Sequence, residues 1–178
     1  MLQVHGITAV ADVRSSPYSR YNPQFNKEAL QTSLKNAGIA YVFLGKELGA
    51  RSEDPTCCTD GKARFDLIAK SQTFTDGLQR LCKGMKTHRI SLMCAEKDPM
   101  TCHRAILVCR HLRSPAVDIQ HILEDGTLEP NPRTERRLMR LLNIQENNLF
   151  ATHEELIEKA YDLQGQRIAY QEKQDGNH

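Results

Sequence analysis

Short apolar, β-branched runs recur along this chain, separated by stretches of helical period. The first run, Ile7 to Val13 (ITAVADV), ends in charge and predicts a buried strand. The turn-rich segment SSPYSRYNP follows, where Pro17 and Pro23 prevent a regular helix. Asn26 is a good N-cap, and Phe25 with Leu30 fits a hydrophobic staple. A helix is therefore expected to run to Ala37 and to stop at Gly38 as a left-handed cap. Ile39 to Leu44 predicts a second strand. Residues 45–62, with Gly45, Gly49, Pro55 and Gly61, predict a long loop. A helical stretch over 63–85, broken near Ser71 to Thr75, leads to a strand over Arg89 to Cys94. The next helix is expected from Thr101 to Leu112, with Ala105, Val108, Cys109 and Leu112 as its inward stripe. Val117 to Leu123 predicts a further strand, and helices over 132–143 and 153–171 close the chain. The tail from Gln171 to His178 is expected to fray.

Strands separated by helix-length segments pair in parallel and are covered on both faces. The expected fold is thus α/β: a three-layer parallel, or mostly parallel, sheet with flanking helices and a C-terminal helical extension. The α/β domain is expected over residues 1–145 and the extension over 146–178. In such sheets ligands sit outside the carboxyl ends of the strands, so chemistry is sought there.

Composition narrows the class. A chain of 178 residues with 39% apolar and 26% charged residues suits one folded domain and excludes wholesale disorder. Mean hydropathy is -0.55 and no apolar run nears 18 residues, which excludes a membrane-spanning helix. The absence of a basic-then-apolar leader predicts a cytoplasmic protein. A net charge of +2, from 24 basic and 22 acidic side chains, makes no strong case for nucleic acid or an acidic membrane. Six cysteines include no Cys-x-x-Cys pair, so reduced thiols are expected rather than a zinc ribbon or a thioredoxin-type centre.

Two predicted strand ends carry unusual residue sets. At the first, Asp12, Arg14, Ser15 and, close behind, Arg20 supply guanidinium forks, a hydroxyl and a carboxylate, which suits a phosphate or carboxylate ligand. At the second, Cys94 ends a strand, Glu96 follows, and Cys102, His103 and Arg104 open a helix whose cap is Asp98 or Thr101. A helix N-terminus favours anions and thiolate, and Glu96 with His103 offers an acid–base pair. Core packing of the two thiols and a surface Asp–Arg pair are the structural alternatives. Both stretches are expected to share one crevice. No metal is assigned: Cys-x7-Cys-His is not a zinc spacing, and adjacent helical residues point about 100° apart. Arg104 falls ten residues after Cys94, so the cysteine-phosphatase spacing is absent too.

The segments ADVRSSPYSRYNPQFNKEAL, GIAYVFLGKELG, LMCAEKDPMTCHR and HILEDG, in this order, resemble the bacterial family called domain of unknown function 488. The resemblance covers roughly residues 3–142. It implies an α/β fold and places the family's characteristic polar residues on Asp12, Arg14, Ser15, Arg20, Cys94, Glu96, Cys102, His103, Arg104 and His121. It supplies no reaction and no cofactor. Members usually open with a strand ending in Gly-His-Ser and a helix; this chain opens at MLQVHGI, so that strand is expected to be missing here or to precede the recorded start. The usual Leu-Gly-Gly is Leu48-Gly49-Ala50, which would strain Ala50 if its φ were positive.

Arg133, Arg136, Arg137 and Arg140 share one predicted helix face, with Leu138, Leu141 and Leu142 on another. That face is a solvated surface or a phosphate-backbone contact. The leading reading is a protein that binds a phosphate- or carboxylate-bearing small molecule, such as a nucleotide. It would act through Cys94 and Cys102 with Glu96 or His103, while Asp12, Arg14, Ser15, Arg20, Arg104 and His121 hold the ligand. The rivals are a nucleic-acid-associated module and a structural protein without catalysis.

Overall fold

The computed structural model describes residues 1–146 and 150–172. In chain order its elements are β1 (Ala9–Asp12), α1 (Lys27–Asn36), β2 (Ala40–Phe43), α2 (Gly45–Leu48), β3 (Cys58–Thr59), β4 (Lys62–Ala63), α3 (Phe65–Ile68), α4 (Gln72–Met85) and β5 (Ile90–Met93). A π-helix (Arg104–Cys109), α5 (Arg110–Leu112), β6 (Gln120–Ile122), β7 (Leu128–Pro130), α6 (Asn131–Leu141) and α7 (His153–Ile168) follow. The fold is α/β, with helices beside a parallel sheet and further helices toward the C-terminus. No helix among the described residues is long and apolar enough to cross a membrane. The chain divides into two compact units, Met1–Glu53 with Lys70–Ala95, and Asp54–Ala69 with Glu96–His178.

The first unit is built on the sheet β2-β1-β5, parallel throughout. Its register sets Asp12 beside Phe43 on one side and Met93 on the other. All four residues of β1 are buried, as a central parallel strand requires. Val10, Leu30, Leu34 and Ile39 form the core against α1, with Leu2, Tyr41 and Met93 packed around it. Each such aliphatic side chain contributes on the order of 1.5–3 kcal/mol on burial. Gly38 ends α1 at φ 72°, as its sequence position predicts. Asn26 precedes α1, but its Oδ1 accepts the Ser19 amide at 2.7 Å rather than a helix amide, tying the Pro-rich turn to the helix start.

The segment over 45–62 is more ordered than a loop. It holds α2 and, in the second unit, the antiparallel hairpin β3–β4. Asp60 and Gly61 make that turn with φ of 51° and 71°, the left-handed pair that matches hairpin twist. Ala50 is not strained, since Asp60 and Asn143 are the non-glycine residues with positive φ among those described. Gly49 is instead required by close approach: a Cβ there would fall 2.3 Å from the Gly45 carbonyl and 2.5 Å from Ser15 Oγ.

In the second unit, β6 is not a parallel strand. It pairs antiparallel with β7 across a turn in which Asp125 Oδ1 accepts the Thr127 amide and Gly126 takes φ 83°. Asp125-Gly126 is a hairpin signal, and it outweighs the apolar run that precedes it. The helix expected over 101–112 is broken into a 3-10 turn (Pro99–Thr101), the π-helix and the short α5. Residues Ala105 to Cys109 are all buried, so no single stripe faces inward. Along α6 the buried stripe is Asn131, Thr134, Glu135, Leu138 and Met139, whereas Leu141 is 51% exposed. Thr152 and Glu155 form a capping box at the start of α7. Gln171 does not fray: it bridges to Lys62, and the Glu172 amide donates to Gly61. The rest of the expected tail, 173–178, lies outside the described residues.

Candidate functional site

The end of β1 gathers one set of expected residues in the first unit. Asp12 is fully buried there. Its carboxylate accepts the Arg14 backbone amide at 3.2 Å, Arg14 Nε at 2.9 Å, Arg14 Nη2 at 2.6 Å and the Tyr41 hydroxyl at 2.8 Å. Arg14 Nη2 also donates to the Phe25 carbonyl at 2.9 Å. A bidentate fork of this kind is strong and geometrically specific. The hydrogen bond to Asp12 raises the Arg14 pKa, and burial, aided by Asp12, raises that of Tyr41. Ser15 Oγ accepts the Arg51 amide at 3.0 Å. Arg20 is exposed. Cys94 follows β5 directly, close enough to Arg14 to act on it electrostatically.

Asp12, Arg14, Ser15 and Cys94 thus meet at the carboxyl ends of two adjacent parallel strands. Arg14 Nε and Nη2 donate to groups of this same strand end and the turn beyond it. Tyr41 belongs to this set and was not singled out from sequence. Only the β1–β2 register places it, and a tyrosine in an apolar strand run reads as ordinary packing.

The second set lies in the second unit. Asp98 caps the 3-10 turn by accepting the Met100 amide at 2.9 Å. Cys102 then has an extended backbone, φ −119° and ψ 134°, and His103 is the first residue of helical conformation, φ −61° and ψ −24°. These neighbours therefore do not follow the helical divergence expected of them. The thiol of Cys102 donates to Glu96 Oε2 at 3.2 Å, and its sulfur accepts the Arg104 amide at 3.4 Å. Arg104 Nη1 and Nη2 donate to the carbonyls of Glu96 and Lys97 at 3.1 and 3.2 Å, which fixes the loop carrying the carboxylate. The ligand atoms of Glu96, Cys102 and His103 lie within 4.8 Å of one another. Cys102 is 0% and His103 6% exposed, while Glu96 faces solvent. The described cysteines form no disulfide. Immediately after the cluster comes the π-helix, a rare element that occurs often at functional positions.

His121 belongs to a different polar group of the same unit. Its Nε2 lies 2.9 Å from Asn131 Oδ1, while Asn131 Nδ2 donates to Glu135 at 2.8 Å. That orientation of the amide makes His121 the Nε2–H tautomer. The Tyr161 hydroxyl donates to Glu135 at 2.9 Å, and Arg113 Nη1 donates to the same carboxylate at 3.0 Å. Burial pushes the His121 pKa below its ordinary 6.5. Asn131, Glu135 and Tyr161 carry this network and were not expected; a glutamate buried on a polar helix face has no local signature. On the basic face of α6, Arg137 donates to Glu129 at 2.5 Å and Arg133 pairs with the same carboxylate at 3.6 Å.

Residues 1–110 match the family model described as "Domain of unknown function DUF488", which spans more than half of the chain, and the protein belongs to that family. No curated protein and no solved structure shows significant similarity to it.

Proposed function

Starting from a family whose description assigns no reaction, we propose that this protein binds an anionic small molecule and acts on it as a thiol-dependent enzyme. The working centre is Glu96, Cys102, His103 and Arg104. The observation that carries this reading is the placement of Cys102. Its buried sulfur lies between a carboxylate oxygen that can take its proton and a backbone amide that supports the thiolate. The amide hydrogen bond favours the charged form of the sulfur, and the carboxylate is the acceptor that receives the proton. Glu96, facing solvent, passes the proton on. His103 is a second proton carrier within reach of the same atoms. Arg104 holds the loop through two carbonyls, and its delocalised charge supplies the attraction for a phosphate or carboxylate.

Calorimetry with inorganic phosphate and a nucleoside monophosphate tests the ligand class. The expected result is saturable binding that Arg104→Met weakens by about tenfold or more. Conversion of the bound nucleotide, followed by chromatography, should vanish in Cys102→Ser while binding persists, because the thiol acts on the ligand and does not hold it. Equal binding in Arg104→Met, or no saturable binding of either probe to the folded chain, overturns the anion reading. Conversion that survives Cys102→Ser overturns the thiol reading.

A further inference from the structure

We propose that Glu96, Cys102 and His103 bind a divalent d-block cation of the zinc class, a deepening that rests on the reading of this cluster as the working centre. Three different donor elements converge here, a carboxylate oxygen, a sulfur and an imidazole nitrogen, all within 4.8 Å of one another. Tetrahedral zinc with Zn–S of about 2.3 Å and Zn–O of about 2.1 Å separates two such ligands by about 3.6 Å. The observed separation of Cys102 Sγ and Glu96 Oε2 is 3.2 Å, so a few tenths of an ångström would admit the ion between them.

The backbone makes the set compatible. With Cys102 extended and His103 starting the helix, neighbouring residues need not diverge, and both can face one ion. The donor chemistry selects the ion. Thiolate with imidazole suits zinc and its borderline-soft neighbours, whereas calcium and magnesium take oxygen ligands. Burial is divided in the way an accessible ion requires: sulfur and imidazole are shielded, while the carboxylate is open to solvent. The Arg104 amide that donates to Cys102 Sγ would orient the thiolate as an outer-shell hydrogen bond does. Binding releases the Cys102 proton, so affinity falls as pH falls.

The experiment uses the full chain. Metal content is measured after purification without chelator, and the stripped protein is titrated with cobalt(II), whose thiolate charge-transfer absorption reports sulfur ligation. The expected result is one zinc-class ion per chain and a saturable charge-transfer band. The band should be lost in Cys102→Ser, shifted and weakened in His103→Gln and Glu96→Gln, and kept in Cys82→Ser, whose thiol is exposed on α4. No ion and no cobalt band in the folded wild type overturns the proposal, as does a band that survives Cys102→Ser. Should Cys102→Ser fail to fold, an unchanged band in His103→Gln overturns it instead. Nucleotide binding and conversion by the stripped protein would sink the metal and leave the thiol enzyme standing. A bound ion without anion binding or conversion would do the reverse.

Discussion

Asp12 and Glu96 are both carboxylates just beyond or at the end of strands in a parallel sheet, and both meet an arginine or a cysteine. They nevertheless do opposite things. Asp12 is wholly buried and accepts four hydrogen bonds, from Arg14 three times over and from Tyr41. Its acceptor capacity is filled by groups of its own unit, so the ion pair fixes the strand end. Glu96 is exposed, meets a thiol instead of a cation, and has an imidazole within the same small volume. Asp12 is held by a fork, whereas Glu96 accepts a thiol hydrogen bond beside an imidazole, the arrangement on which the proposed chemistry draws. The residue types alone do not separate the two cases, because Asp–Val–Arg and Cys–Ala–Glu are equally polar on paper.

The sharpest way to break this contrast is Arg14→Ala. Removing one partner of a buried pair leaves the other charged and uncompensated, at a cost of about 3–5 kcal/mol. Chemical denaturation of the variant should show that loss; a change below about 1 kcal/mol would mean that Asp12 is not held as described.

An intermediate effect is expected on acidification, through His121. Its folded pKa lies below the unfolded value near 6.5 because burial disfavours the imidazolium. The folded state thus binds fewer protons, and the stability His121 supports is complete above that value and declines as pH falls below it. Thermal unfolding of wild type between neutral and mildly acidic pH should show this decline, and His121→Gln should flatten it. A parallel slope in the variant would assign the acid sensitivity to other groups.

The smallest effect is expected for Glu96→Gln, within about 0.5 kcal/mol of wild type, since an exposed acid contributes little to stability. Loss of several kcal/mol in the same denaturation experiment would make Glu96 a structural acid like Asp12 and end the contrast.

Much of the first unit was legible because its elements obey local rules. The runs at Ile7 to Val13, Ile39 to Leu44 and Arg89 to Cys94 contain β1, β2 and β5, and Gly38 stops α1 where left-handed backbone is needed. The cluster residues Glu96, Cys102, His103 and Arg104 were also legible as a group, since they crowd one short segment. Their geometry was not. The reading of Cys102 and His103 as one regular helix fails at the extended backbone of Cys102, which the sequence does not announce. Likewise Leu138 and Leu141 were placed together off the arginine face, yet Leu138 is buried and Leu141 exposed, while Glu135 is buried because Arg113 and Tyr161 arrive from distant parts of the chain, with Asn131 one turn away, to satisfy the carboxylate. Hydrophobic periodicity cannot foresee a polar group satisfied from afar.

The way the backbone is shared between the two units carries a consequence for synthesis and for engineering. The polypeptide passes from one unit to the other at Glu53–Asp54, returns at Ala69–Lys70 and leaves again at Ala95–Glu96. The middle strand cannot acquire its second neighbour until Ile90 to Met93 have emerged from the ribosome. No single cut in the gene yields either unit intact, so truncation is the wrong tool for dissecting this molecule, and point substitution in the complete polypeptide is the right one.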